Sequence, residues 1–250
     1  MTNSHIQWTD HTFNPWRGCT KCSPGCANCY AENDIGVRFG KIKWGPTETR
    51  VRTNAAWNDP VRWNRQALKA GTRQRVFCAS LADVFEDNVQ VAPWRDELHA
   101  LIEQTPWLDW LLLTKRPEVA HCYYQGRPVP DNVWMGVTAE NQGMADKRIP
   151  VLENIPARVR FLSCEPLLSS VDLSGALSRG CINWVIVGGE STVMNVQTQR
   201  PMELGWARSI RDQCAIYNTA FFFKQVGGHL HKGRKAGGTL LDGNSYLAVP

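Results

Sequence analysis

The chain has 250 residues, 43% hydrophobic and 20% charged, with a net charge of +5; this is an ordinary globular composition, long enough to bury a substantial core. No apolar run is long enough to span a bilayer and residues 1 to 5 open no signal peptide, which argues against a membrane protein and points to the cytoplasm. Thiols stay reduced there, so the nine cysteines read as metal ligands, catalytic groups or small buried hydrophobes rather than as disulfides.

In chain order, Ile6-Gln7-Trp8 and Thr12-Phe13-Asn14-Pro15-Trp16 read as a first strand leading into a loop. That loop carries Cys19, Cys22, Cys26 and Cys29, spaced C-x2-C-x3-C-x2-C. Soft thiolates packed this closely suit a metal or an iron–sulfur cluster. Disulfides between such near neighbours would strain the backbone, and Ser23-Pro24-Gly25 supplies a turn that lets the sulfurs converge. A structural zinc site with four thiolate ligands is the alternative, although three residues between the C-x2-C pairs is short for a zinc ribbon. Cys78, Cys122, Cys164, Cys181 and Cys214 are scattered and read mostly as buried hydrophobes.

Tyr30 to Phe39 can start a helix after the loop. From 38 to 75 the chain carries ten basic residues (Arg38, Lys41, Lys43, Arg50, Arg52, Arg62, Arg65, Lys69, Arg73, Arg75) against Glu48 and Asp59, a local net charge of +8, with Trp44, Trp57 and Trp63 interleaved. Such a stretch can neutralise phosphates and stack on bases, or it can be a solvated face whose tryptophans pack inward. A helix is predicted over Pro60–Ala70, with the proline near its first turn.

A repeating pattern follows. Strands are predicted over 75–80, 108–114, 132–138, 158–164, 182–187 and 220–223, and helices over 87–104, 144–154 and 203–215. Short, nearly continuous apolar strands alternating with helices indicate a parallel sheet with crossover helices. The first strand plus six more gives an α/β fold, a partial or nearly complete TIM-type (β/α) barrel over 1–228. A glycine-rich tail follows over 229–250, with His231, Lys232, Arg234 and Lys235 as a small basic cluster; it reads as a loop or cover near the mouth, or as disordered. Polar residues gather at the strand ends: Ser80 and Asp83; Thr114, Lys115 and Arg116; Thr138 and Glu140; Ser163 and Glu165; Gly188, Gly189 and Glu190; Lys224 and Gln225. Ligands bind at the C-terminal ends of parallel strands, so these should share one mouth.

Cys22, Cys26 and Cys29, followed by Tyr30, resemble the C-x3-C-x2-C cluster motif of the radical S-adenosylmethionine (radical SAM) enzymes. The wider run from Asn14 to Ala31 is similar to a phage-borne three-cysteine-motif family of unassigned function, in which the triad here would be Cys19, Cys26 and Cys29. That likeness continues through Leu113-Thr114-Lys115-Arg116-Pro117, Gly136 to Asn141, Cys164-Glu165-Pro166, Val187 to Ser191 and Phe223-Lys224-Gln225. The choice between Cys19 and Cys22 stays open. The resemblance implies a spore-photoproduct-lyase-like barrel that binds a [4Fe-4S] cluster and S-adenosyl-L-methionine, draws on an external electron donor, and cleaves SAM to a 5′-deoxyadenosyl radical.

Charge then suggests roles. Glu190, Glu165 or Asp83 could accept from the SAM ammonium, and Arg116 or Lys115 could pair with its carboxylate. Gly188 and Gly189 would admit a close backbone approach. Glu140, Asn141 or Ser163 could bond the ribose, with Ser80, Thr114 and Thr138 beside them. Glu165, Lys115 and Lys224 are the candidate catalytic groups, Lys224 as a substrate-contacting or proton-transfer residue. Alternatively Glu165 or Glu190 pairs internally with Arg116 or Lys224, since buried charges need partners. One departure stands out: the glycine-rich Gly188-Gly189-Glu190 follows a late strand, whereas many radical SAM enzymes carry a similar motif after the second. The expected target is a nucleic-acid base or nucleotide, more narrowly a thymine substituent in hypermodified phage DNA, acted on in the bacterial cytoplasm. Two rivals are a zinc-stabilised nuclease or hydrolase using Glu140, Glu165 and Asp83, and a non-catalytic DNA-binding phage accessory protein. Nothing in the sequence specifies an oligomeric state.

Overall fold

A computed structural model describes residues 4, 6–33, 36, 40, 42–192, 199–229 and 238–250. The elements in chain order begin with β1 (His11–Thr12), β2 (Trp16–Arg17), β3 (Val51–Arg52), α1 (Asp59–Ala70), β4 (Gln74–Cys78), α2 (Ala92–Glu103), β5 (Leu108–Thr114) and α3 (Pro117–Tyr124). They continue with β6 (Val133–Thr138), α4 (Gln142–Glu153), β7 (Val159–Cys164), α5 (Ser174–Ser178), β8 (Trp184–Gly188), β9 (Ser191–Thr192), α6 (Leu204–Ile216), β10 (Ala220–Gln225) and β11 (Gly228–His229). Seven strands make one sheet in the order β1-β4-β5-β6-β7-β8-β10, every neighbouring pair parallel. This is the half-barrel that the alternation of apolar strands and helices predicts.

The sheet is buried on both faces, which is why its strands read as unbroken apolar runs. Side chains alternate across it. One face carries Val76, Trp110, Leu112, Met135, Leu162, Val185 and Phe223 and packs against Trp63, Leu98, Ile102, Ile149 and Ile210 of the helices. The opposite, inner face is a separate aromatic cluster of Phe77, Leu111, Trp134, Phe161, Trp184, Ile186 and Phe222. Trp8, from the chain before β1, completes it, with ring centroids 4.6 Å from Phe77 and 6.0 Å from Trp184. By the same alternation, the inner positions nearest the C-terminal strand ends are Leu113, Thr138, Ser163, Gly188 and Lys224.

Gly136 lies on the inner face, where a Cβ would run into the Phe161 ring. Gly136→Ala should therefore lower unfolding stability by about 1–3 kcal/mol through overpacking; a denaturant midpoint equal to the parent's would refute this.

Several expectations are corrected. The first strand is two residues long, because Pro15 offers no ladder N–H and Trp16–Arg17 turns away to pair antiparallel with Val51–Arg52. Helix α2 starts at Ala92 rather than Asp87. Local turns capture the chain before it: Asp83 accepts from the Phe85 N–H at 3.0 Å and Asn88 from the Gln90 N–H at 2.8 Å. Helices α3 and α5 are too short for their periodicity to stand out. After the cysteine loop, Tyr30 to Asn33 and Gly36 are helical.

The basic stretch is largely consumed internally. Trp63 is fully buried and stacks on His11 with centroids 4.3 Å apart. Arg50 pairs with Glu86, Arg52 with Glu97, Arg62 with Asp59, and Arg73 with Asp109. Lys43, Arg65 and Lys69 are exposed, while Arg38 and Lys41 lie outside the described residues. Of the scattered cysteines, Cys78, Cys164 and Cys214 are buried as expected, and Cys122 is exposed.

In the tail, His231, Lys232, Arg234 and Lys235 lie outside the described residues. Residues 238–250 line the edge of β10: Leu247 bridges Phe222 antiparallel, and the Phe223 N–H donates to the Tyr246 carbonyl at 2.9 Å. They cover an edge strand that would otherwise present unpaired backbone groups. Among the described residues no helix is long and apolar enough to cross a membrane.

Candidate active site at the strand ends

The cysteine loop leaves β1 and β2 and lies across the C-terminal ends of the sheet. It is pinned at four of them. The Tyr30 hydroxyl donates to the Ser80 carbonyl beyond β4 at 2.7 Å. Arg116, just past β5, donates from Nη2 to the Thr20 carbonyl at 2.6 Å. Glu140, past β6, accepts from the Gly25 N–H at 3.2 Å. Glu190, past β8, accepts from Asn28 Nδ2 at 2.8 Å.

The thiols divide into two environments. Cys22 and Cys26 act on each other, and that interaction holds Cys26 well below the ordinary thiol range and pushes Cys22 up. Cys29 is pushed up by burial, against the pull of the Glu32 and Ala31 N–H groups and of Lys115, which also acts on Cys26. Cys19 stands apart. Its sulfur takes a contact from Arg116 Nη1 at 3.8 Å, and burial, with Asp83 and Glu86 nearby, pushes it up to about 12. Among the described residues no group of three or more His, Cys, Asp or Glu is gathered so as to hold a metal ion.

The strand-end residues named from the sequence fall into two sets as well. In the first set the polar groups are already occupied. Asp83 accepts from Thr114 Oγ1 (2.7 Å), the Lys115 N–H (2.9 Å) and Arg116 Nη1 (3.1 Å). Ser80 is bonded to Asn14 at 3.0 Å. Glu140 is fully buried with Arg148 Nη1 at 2.7 Å from its other oxygen. Burial alone would raise its pKa, but the bond from Ser23 and the Arg148 guanidinium hold it below the usual range. Glu190 behaves similarly: burial is outweighed by Arg200 and Asn28, and the Arg200 N–H and guanidinium fill its oxygens. A Cβ on Gly189 would meet the Val226 carbonyl, so this glycine serves chain packing.

The second set faces inward and remains polar at the mouth. Lys115 Nζ donates to Thr138 Oγ1 at 3.1 Å. Ser163 Oγ donates to Glu165 at 3.4 Å, and Lys224 Nζ lies 3.1 Å from Glu165 Oε1. That Glu165 oxygen is buried, has no hydrogen bond of good geometry, and hangs over Gly188, where a Cβ would strike it. Two open clefts, of about 470 and 490 Å³, lie elsewhere, beside Arg73 and Arg158 and beside Gln142 and Gln213. The cysteine loop and Arg200 lie over the mouth. Asn28, Arg148 and Arg200 are the contributors that sequence reasoning missed. The available signal was that a carboxylate at a buried strand end requires a cation nearby.

The sequence profile of a family described as Protein of unknown function (DUF5131) matches residues 3–250. No curated protein matches the chain. Among solved structures, a spore photoproduct lyase variant is similar in fold, with a TM-score of 0.52 at 10% identity over 88% of this chain and 76% of that one. Another variant of that lyase, with dinucleoside spore photoproduct, has a TM-score of 0.48 at 11% identity over 85% and 74%.

Proposed function

The chain belongs to the family of unknown function DUF5131, and we propose that within it this protein is a radical SAM enzyme acting on a nucleic-acid base or nucleotide. The observation that carries the reading is a C-x3-C-x2-C loop, Cys22, Cys26 and Cys29, tied across the C-terminal mouth of a parallel half-barrel. The donor set suits an iron–sulfur cluster: the ligands are soft thiolates, and the positive charge of Lys115 acts on Cys26 and Cys29. A four-coordinate zinc ion needs donors converging on one point, whereas a cluster spreads its ligands over several irons.

When bound, a [4Fe-4S] cluster supplies one electron, drawn from an external reductant, that splits SAM into methionine and a 5′-deoxyadenosyl radical. The chain's own residues would hold and orient. Cys22, Cys26 and Cys29 are the ligands in this reading, and Cys19 is an Arg116-held bystander. Lys115 Nζ pairs with the SAM carboxylate, and Glu165 Oε1, lacking a well-formed hydrogen bond, takes the ammonium. Thr138 and Ser163 offer hydroxyls to the ribose. Lys224 Nζ balances the Glu165 charge and can hand a proton to a substrate that lies against it. Exposed Cys22 and Lys21 mark the side from which an electron donor would approach. The nucleic-acid target draws support from the net charge of +5 and from Arg62, Arg65 and Lys69, which are exposed along α1.

The test is anaerobic incubation of the iron- and sulfide-reconstituted chain with SAM and dithionite. Methionine and 5′-deoxyadenosine should form in equal amounts; a cluster-loaded protein that cleaves no SAM overturns the reading. Lys115→Ala should raise the SAM concentration for half-maximal cleavage by roughly tenfold or more, the weight of a charge-assisted hydrogen bond. An unchanged value would remove Lys115 from the SAM site.

A further inference from the structure

Three of the four strand-end anchors hold the cysteine loop at points between its thiols, and one of them, Arg116, also touches the Cys19 sulfur. Arg116 holds the Thr20 carbonyl, between Cys19 and Cys22. Glu140 holds the Gly25 N–H, between Cys22 and Cys26. Glu190 holds the Asn28 side chain, between Cys26 and Cys29, and its partner Arg200 reaches on to the Pro24 carbonyl at 2.9 Å. Every anchor is braced from behind by an opposite charge: Asp83 behind Arg116, Arg148 behind Glu140, Arg200 behind Glu190. Braced groups keep one geometry, which is what positions a site. The approach of Glu140 is close enough that a Cβ on Gly25 would lie 3.0 Å from its carboxylate oxygen.

We propose that Arg116, Glu140 and Glu190 are positioning residues that dock the cysteine loop before any cluster arrives, so that the thiols are presented at the mouth rather than gathered by the metal. This assigns Glu190 away from the SAM ammonium. Its oxygens already carry Asn28 and Arg200, and an amine could enter only by displacing the guanidinium. The purpose of the docked thiols rests on the proposed function; the docking itself does not.

The test separates the two. The full, metal-free chain is pulsed with iodoacetamide, and each cysteine is followed by mass spectrometry of its peptide. Asn28→Ala and Glu140→Gln should raise the labelling rates of Cys26 and Cys29 by about tenfold, the weight of a hydrogen bond to a charged group. Asn28→Ser, which keeps a donor, should restore part of the difference. Cys78, Cys164 and Cys214 are buried against the helices and should label at the parent rate, which reports that the barrel stays folded. Unchanged rates at Cys26 and Cys29, or equal acceleration at the three buried cysteines, would overturn the inference. In a second arm, reconstituted Asn28→Ala should release iron to a chelator about tenfold faster than the parent, with a shifted EPR spectrum for the reduced cluster. Release and spectrum equal to the parent's would overturn it too. A parent chain that binds no iron and sulfide would sink the proposed function, while the labelling rates would still decide the docking.

Discussion

Cys22→Ser, Cys26→Ser and Cys29→Ser will each reduce bound iron and sulfide to near background and cut SAM cleavage by at least about a hundredfold, whereas Cys19→Ser will leave both near the parent level. The division follows from what each sulfur touches. Cys22 and Cys26 act on each other, and the Lys115 charge acts on Cys26 and Cys29. The Cys19 sulfur is contacted by Arg116, whose charge also reaches Cys22. A serine oxygen is too hard, and its hydroxyl too weakly acidic, to replace a thiolate on iron. The measurement is iron and sulfide per chain after anaerobic reconstitution, followed by 5′-deoxyadenosine formation. If Cys19→Ser is the damaging change and Cys22→Ser the harmless one, the ligand set is Cys19, Cys26 and Cys29.

The largest effect on stability is expected at Glu86→Ala, which should cost about 3–5 kcal/mol and lower the melting temperature by roughly 10 °C. Glu86 is 2% exposed and takes two bonds of 2.7 Å from Arg50. Without it the guanidinium is left buried and uncompensated, and that penalty, more than the lost pair itself, sets the size of the effect. Arg50 also donates to the Gly45 and Glu48 carbonyls and to Thr20 Oγ1 at 2.8 Å. It therefore ties the segment around 45–50 to the cysteine loop, and Glu86→Ala should loosen both. A double change, Arg50→Met with Glu86→Leu, should recover much of the stability, because apolar groups of similar volume replace the pair. A loss below about 1 kcal/mol in Glu86→Ala would show that water reaches the guanidinium.

The sheet was legible because burial on both faces writes itself into the strands: Leu108–Thr114 and Val159–Cys164 are nearly continuous apolar runs that end in polar residues. The mouth was legible for the same reason. Alternation goes further than naming it. Thr138, Ser163, Gly188 and Lys224 share the inner parity, while Thr114 does not, a distinction available once strand ends are known to within a residue. Partners were not legible. Arg148 lies eight residues after Glu140 with Lys147 beside it, and Arg200 ten after Glu190 with Arg179 eleven before it, and only the folded chain selects between them. The tryptophan-rich basic stretch reads two ways for a chemical reason: indole beside arginine is the signature of base stacking and equally that of a helix burying Trp63 while its arginines pair outward. Glu190 reads two ways as well, since a carboxylate after two glycines looks like a ligand whether it meets a cofactor or an arginine.

The aromatic filling of the half-barrel has a further consequence. With Trp8, Phe161 and Trp184 packed on the inner face of the sheet, the proposed site at the strand ends has a floor filled by side chains. A polymer could offer it one residue swung out of its own stack, not a stretch threaded through that floor. The indoles beneath the floor would register each arrival, which makes intrinsic fluorescence a direct counter of that traffic.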